Sequence, residues 1–243
     1  MIKYLHFILI LLLLFSCGKS DVELVELARK KLDEQDYEKA LEYADKAIEE
    51  NSKNPVAYNV KGVALFELKK YGDALNAYTE SIKCNPEDYR PYYNRGKVEN
   101  VLGQNKEALG DYNKAQSIDT ANFDVYLNRG ITYYNLGQYN KAVDDYEKAL
   151  VYDPDNHFAY YNKGNARLML KQYDLAIDDF TDAIGINAKF AKAFYGLGLA
   201  YVYSGNPDEG CLALEKAEEF GYADADAIIK EHCQNIKERI IPD

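Results

Sequence analysis

Three asparagines recur 34 residues apart in the sequence, Asn94, Asn128 and Asn162, and each stands two residues before a glycine. An asparagine amide offers both hydrogen-bond donors and an acceptor. A row of such amides can therefore pair with a peptide backbone without reading the side chains of the peptide. The alternative is that each amide caps backbone close to it in the chain or pairs within its own hairpin. The sequence leaves both interpretations open.

Catalytic, metal and cofactor sites are not indicated by the other reactive side chains. Adjacent carboxylates such as Asp144 and Asp145 point apart on a helix, since neighbouring side chains diverge by about 100°. After residue 16 only His157 and His232 are present, and neither HxxxH nor HExxH occurs. The acidic turn at residues 153–156 lacks the glycine and distal glutamate of a calcium loop. We therefore expect no enzyme activity, no metal and no cofactor.

A repeat of 34 residues must position these side chains. Its most regular column is Gly62, Gly96, Gly130, Gly164 and Gly198. Two more columns keep the same register, one small (Ala40, Ala74, Ala108, Ala142, Ala176) and one aromatic (Tyr78, Tyr112, Tyr146, Phe180). A fixed period of this length is typical of stacked structural units.

The columns resemble those of the tetratricopeptide repeat (TPR), a helix–turn–helix unit. The resemblance implies an all-α TPR helical solenoid, a right-handed superhelix, in which Gly103, Gly137 and Gly205 form turns inside the units. It covers Asp21 to Asp224. The six predicted units are residues 21–54, 55–88, 89–122, 123–156, 157–190 and 191–224, and an apolar stripe predicts a C-terminal capping helix at 225–243.

The N-terminus predicts export and a lipid anchor. Lys3 precedes an apolar run at residues 4–15, which is shorter than the roughly 20 residues of a membrane-spanning helix. Residues 1–16 therefore read as a secretory signal peptide. The sequence Leu14-Phe15-Ser16-Cys17-Gly18 resembles the lipobox of bacterial lipoproteins. That resemblance implies cleavage before Cys17 and a lipidated N-terminus at 17–20. It implies a place in the cell envelope, and Gly18 favours the outer membrane. An ordinary signal peptide or an uncleaved anchor is the alternative.

Three cysteines follow Cys17, namely Cys84, Cys211 and Cys233. In an exported protein one pair could be oxidised. Cys211 with Cys233 is the plausible pair, because it would join the last repeat to the terminal helix. Buried free thiols are the alternative.

The TPR resemblance also implies where partners bind. In this family the first helices of successive units line a concave groove that holds extended peptides or helices. The groove side would carry Asn94, Asn128 and Asn162, with Tyr93, Leu127, Tyr161, Tyr195, Tyr134, Asn100, Asn135, Asn165 and Tyr203 beside or near them. The lysine column of chaperone-binding TPR domains is absent, so that activity is not implied.

Opposite charges repeat as well. Arg95, Arg129 and Lys163 precede the glycines, and Asp111, Asp145 and Asp179 follow sixteen residues later. We expect each pair to bridge its hairpin at the surface. Exposed pairs contribute about 0–1 kcal/mol. Arg167 occupies a column that the family prefers to fill with an aromatic residue.

Two functional hypotheses remain. The first is a membrane-tethered scaffold or adaptor that binds envelope proteins or peptides in its groove. The second is a glycan- or peptidoglycan-binding module, because tyrosine rings can stack on sugars. The net charge of −11 opposes binding to nucleic acid.

Overall fold

The computed structural model describes residues 19–233, which form thirteen α-helices and no strand. The predicted signal peptide and the predicted lipid-bearing Cys17 lie outside these residues, as does the predicted capping helix beyond Cys233. None of the thirteen helices is long and apolar enough to cross a membrane. The helices are α1 Asp21–Asp33, α2 Tyr37–Glu50, α3 Pro55–Glu67, α4 Tyr71–Cys84, α5 Tyr89–Val101, α6 Asn105–Ile118, α7 Phe123–Asn135, α8 Tyr139–Tyr152, α9 His157–Met169, α10 Tyr173–Ile186, α11 Ala191–Ser204, α12 Pro207–Glu219 and α13 Ala225–His232.

The described residues form two compact units, 19–98 and 99–233, and α5 contains the boundary. In the first unit α1 packs on α2 and α3 packs on α4. In the second unit α7 packs on α8, α9 on α10 and α11 on α12, and α13 packs on α12. Gly103, Gly137 and Gly205 have φ angles of +74°, +71° and +91°, which confirms that they form the turns after α5, α7 and α11. The turns after α1, α3 and α9 place Gln35, Lys69 and Lys171 in the same left-handed region, with φ near +60°.

The repeating glycines face large side chains of the partner helix. A Cβ atom on Gly62 would lie 2.4 Å from the ring of Tyr78, and one on Gly130 would lie 2.7 Å from the ring of Tyr146. Such distances would force the ring or the helix to move, and overpacking of that kind costs roughly 1–3 kcal/mol. The glycine column therefore exists because an aromatic column fills the same space from the other helix.

Replacing Tyr78 and Tyr146 by phenylalanine is expected to protect the fold at alkaline pH. Burial, with smaller effects from Glu67 on Tyr78 and from Tyr134 and Asp145 on Tyr146, raises the pKa of both hydroxyls. Unfolded tyrosine ionises near pH 10, so stability is unchanged below about pH 10 and is lost as the pH rises above it. Urea unfolding at several alkaline pH values measures this loss. The free energy of unfolding should fall with pH less steeply in the variant, by about 1.4 kcal/mol per pH unit for each tyrosine replaced. Equal slopes in wild type and variant would contradict this reasoning.

Two of the three predicted charge pairs lie within residues 99–233, and both form there, but they are buried. The Arg129 guanidinium donates to both oxygens of Asp145 at 2.7 and 2.8 Å, and the two side chains are 9% and 3% exposed. Lys163 Nζ lies 2.9 Å from an Asp179 oxygen, and Arg167 donates to the same carboxylate at 2.9 Å. The expectation of surface pairs was wrong, because these hairpins pack closely enough to exclude water from them. Arg167, which stands in a column that the family prefers to fill with an aromatic residue, therefore serves as a second cation for Asp179.

A disulfide joins Cys211 of α12 to Cys233, directly after α13. Both cysteines are buried in an apolar cluster with Leu214, Ala225 and Ile229. The alternative of free thiols is therefore wrong for this pair. Cys84 is free and half-buried.

Candidate functional site

An open pocket of about 350 Å³ lies in the unit formed by residues 99–233. Side chains of α7 and α9 form its walls, because residues three and four positions apart share one face of a helix. Tyr146 of α8 forms its base and is 1% exposed. The pocket brings together three of the predicted site residues, Tyr134, Tyr161 and Asn162. Its complete lining, which carries no charge, is Ile131, Tyr134, Asn135, Tyr146, Tyr161, Asn162 and Asn165.

The pocket asparagines are available for a ligand. Asn135, Asn162 and Asn165 have no side-chain hydrogen bond to any residue in the described part of the chain. Asn135 is exposed, and the other two are half-buried. Three amides with free donors and acceptors thus converge on one opening, which suits a backbone with both N–H and C=O groups to pair.

The pocket tyrosines are held by neighbouring rings. Tyr134 meets Tyr139 edge-on with ring centroids 5.3 Å apart, and Tyr161 meets Phe190 edge-on at 5.1 Å. Burial raises the pKa of the Tyr134 hydroxyl, and nearby Tyr139 and Tyr161 add to the effect. The hydroxyl therefore stays protonated at neutral pH and can donate a hydrogen bond. Edge-to-face packing keeps both rings in one orientation.

The side-chain amides of the other two asparagines in the predicted row form hydrogen bonds within the protein. Asn128 Nδ2 donates to the backbone oxygen of Asp124 at 2.8 Å, in agreement with the alternative of local capping. Asn94 Nδ2 donates to Asn59 Oδ1 at 3.1 Å within the unit of residues 19–98. A direct role for Asn94 and Asn128 in binding stays a prediction.

The remaining predicted tyrosines lie elsewhere. Tyr93 is half-buried in the first unit, with Lys97 Nζ 5.7 Å from its ring centroid. Tyr195 belongs to the second unit and packs on Tyr222, with ring centroids 4.7 Å apart. Neither residue lines the pocket.

Two aromatic residues beside the pocket were missed in the sequence. Phe158 is 52% exposed, and its ring centroid lies 5.4 Å from that of Phe190, which itself contacts Tyr161. Phe158 could have been found, because it lies three residues before Tyr161 on the same helix and so shares its face. Phe190 precedes α11 and belongs to none of the repeat columns that we identified.

Comparison with known families identifies the repeat. Models described as "Tetratricopeptide repeat" match residues 25–88, 123–156 and 157–190, and a model described as "TPR repeat" matches residues 101–137. Together they span more than half of the 243 residues. The chain is a TPR protein. The TPR helical solenoid expected from the sequence is thereby confirmed, and the glycine and ring columns described above are its packing contacts.

Curated TPR proteins match this TPR protein over a limited length. It is 35% identical over 86 residues to the TPR repeat-containing protein MJ1428 of Methanocaldococcus jannaschii, which is 35% of this chain and 15% of that protein. It is 38% identical over 78 residues to Hsp70-Hsp90 organizing protein 2 of Arabidopsis thaliana, which is 32% of this chain and 12% of that protein. The matches thus span about a seventh or less of these relatives.

Solved structures show the same fold over most of the chain. The structure of YrrB, titled "a TPR protein with an unusual peptide-binding site", is 24% identical with a TM-score of 0.69, and the match covers 77% of this chain and 97% of YrrB. The structure of PilW, titled "widely conserved type IV pilus biogenesis factor", is 18% identical with a TM-score of 0.76, and the match covers 88% and 99%. These identities support the shared fold alone.

Proposed function

We propose that this TPR protein is a scaffold that holds an extended segment of a partner protein in the pocket between α7 and α9. The observation that carries the proposal is the set of three unpaired asparagine amides beside oriented tyrosine rings, in an uncharged opening. Amides suit the partner's backbone, and tyrosines suit its side chains, since they give large contact area at small entropic cost. YrrB, which shares this fold and is described as having an unusual peptide-binding site, supports this choice of ligand.

We also propose that the scaffold is tethered in the bacterial cell envelope through a lipid on Cys17. The lipobox at Leu14 to Gly18 supports this, as does the apolar run before it. Several acyl chains on one cysteine make a stable anchor, whereas a single chain binds a membrane only weakly.

A crosslinking experiment in intact cells tests the proposal. A photoreactive residue replaces Tyr161, and captured proteins are compared in the presence and absence of Asn162→Ala. We expect defined envelope proteins to be captured, and Asn162→Ala to reduce their yield at least about fivefold, the effect of losing roughly 1 kcal/mol of hydrogen bonding. Asn140→Ala is the matched control, since Asn140 is an exposed asparagine of the same unit that does not line the pocket. The protein should fractionate with membranes and lose this property with Cys17→Ala.

Three outcomes would contradict the proposal. Equal yields of captured protein with and without Asn162→Ala would show that the pocket does not take part in binding. Retention on isolated cell-wall sacculi without any protein partner would favour the glycan-binding alternative. Membrane association that survives Cys17→Ala would overturn the lipid anchor.

A further inference from the structure

One face of α9 connects the pocket to an exposed aromatic ring. Tyr161, Asn162 and Asn165 line the pocket, and Phe158 stands three, four and seven positions before them in the chain. This spacing places the four side chains on the same face of the helix. Phe158 and Asn162 lie about 6 Å apart along the helix axis, and Phe158 is 52% exposed. The pocket therefore continues into an open aromatic surface at the N-terminal end of α9.

Four rings, those of His157, Phe158, Tyr161 and Phe190, form this surface, which we call the ring cluster. The ring centroid of Phe158 lies 4.1 Å from that of His157 and 5.4 Å from that of Phe190. The Phe190 centroid also lies 5.0 Å from His157 and 5.1 Å from Tyr161. The three contacts of Phe190 are edge-on, at interplanar angles of 64°, 78° and 89°, which is a geometry that aromatic pairs prefer.

The ring cluster is anchored at its base. The backbone N–H of Phe190 donates to Asn187 O at 3.0 Å, and the carbonyl of Phe190 accepts from the N–H of Ala193 at 2.9 Å. Tyr161 and Phe190 both pack on the buried cluster around Phe180. Phe158 is thus presented to solvent by rings that are already fixed, so a ligand that contacts it orders few further side chains.

A single exposed apolar side chain is ordinary on a protein surface. Phe158 differs from exposed residues such as Val151 and Leu212, because its ring belongs to a cluster that shares Tyr161 with the pocket. Neither the pocket lining nor the ring cluster contains a carboxylate, a lysine or an arginine. A charged partner side chain would lose hydration there without gaining an opposite charge, whereas an apolar one gains from burial against the rings.

We propose that the ring cluster binds a large apolar side chain, aliphatic or aromatic, of the same partner segment that occupies the pocket. The inference rests on the proposed function. An extended segment advances about 3.3 Å per residue, so the distance between Phe158 and Asn162 corresponds to about two residues. The partner segment therefore carries its large apolar residue about two positions from the residue whose backbone Asn162 holds.

Selection from a random dodecapeptide library on the full chain tests the inference. Peptides that are lost with Asn162→Ala are the pocket ligands, and we expect them to share a large apolar residue at one position. Phe158→Ala should abolish that preference while peptides dependent on Asn162 are still selected. Leu212→Ala, which removes an apolar side chain that is 63% exposed and lies outside the ring cluster, should leave the preference unchanged.

One selected peptide then serves as a quantitative probe. Replacing its large apolar residue by alanine should weaken binding to the wild type about tenfold, the effect of burying part of one such side chain. The same replacement should have little effect on binding to Phe158→Ala. Phe158→Tyr, which keeps the ring, should bind the peptide about as well as the wild type does.

The outcomes separate the two proposals. Pocket ligands that share no apolar position, that carry lysine or arginine there, or that keep their apolar preference with Phe158→Ala would overturn the ring-cluster inference and leave the scaffold function standing. A wild type that sediments as a dimer, with Phe158→Ala a monomer, would assign the ring cluster to a second copy of the chain and overturn the inference as well. A library from which no peptide depends on Asn162 or Tyr161 would overturn the scaffold function itself.

Discussion

Arg129→Met is expected to lower the free energy of unfolding by about 3–5 kcal/mol. The Asp145 side chain is 3% exposed and receives two hydrogen bonds from Arg129, so the substitution would leave a buried carboxylate without its partner. The guanidinium also donates to Asn113 Oδ1 at 2.9 Å, and that acceptor would lose its donor too. Urea unfolding followed by circular dichroism measures the loss as a shift in the midpoint.

Two matched variants show whether burial of the charge is the cause. Arg29→Met removes an arginine that pairs with Glu26 at 2.9 Å, but there both side chains are largely exposed, at 42% and 64%. It should cost less than about 1 kcal/mol. Combining Arg129→Met with Asp145→Leu should recover most of the lost stability, because two apolar side chains replace the pair. A loss as small in Arg129→Met as in Arg29→Met would contradict the argument.

Removal of the Cys211–Cys233 bond is expected to destabilise the C-terminal end by about 3 kcal/mol, the loop-closure value for cysteines of this separation. The two cysteines are 22 residues apart and enclose most of α12 and all of α13. With Cys211→Ala and Cys233→Ala, the amides of α13 should exchange hydrogen far faster, while those of α7 should change little. Repeat arrays unfold in parts, so this local measurement is more informative than a single melting temperature.

Cys84→Ala is the control for this experiment, because Cys84 is free and half-buried. It should leave exchange in α13 unchanged. Unaltered exchange in the double alanine variant would show that apolar packing around Leu214 and Ile229 holds α13 without the bond.

The repeat and its packing could be predicted because each close helix contact recurs at one interval. A glycine and an aromatic residue sixteen positions later make the same close contact in three hairpins, as Gly62 with Tyr78, Gly130 with Tyr146 and Gly164 with Phe180. The pairing of Arg129 with Asp145 follows from the same spacing. Its burial could not be predicted, because exclusion of water depends on how closely the surrounding helices pack.

The candidate site was predictable where a helix sets the direction of a side chain. Tyr134, Tyr161 and Asn162 share the faces that the helical period assigns to them, and the structure places them in one pocket. Phe190 lies in a connection between helices, where the period gives no direction. Asn94 and Asn128 occupy equivalent positions to Asn162, but Asn94 pairs with Asn59 and Asn128 with its own helix. Equivalence in sequence therefore did not give equivalent hydrogen bonding.

The terminal segment that covers α12 also carries Tyr222, whose ring packs on Tyr195. A duplication that added one more repeat after α12 would have to displace this segment, and Tyr222 would leave Tyr195 with it. The same displacement would pull Cys233 away from Cys211. Growth of the array at its C-terminal end would therefore remove a covalent bond and a ring contact in one event, so the last repeat of this chain is fixed as the last by chemistry as well as by packing.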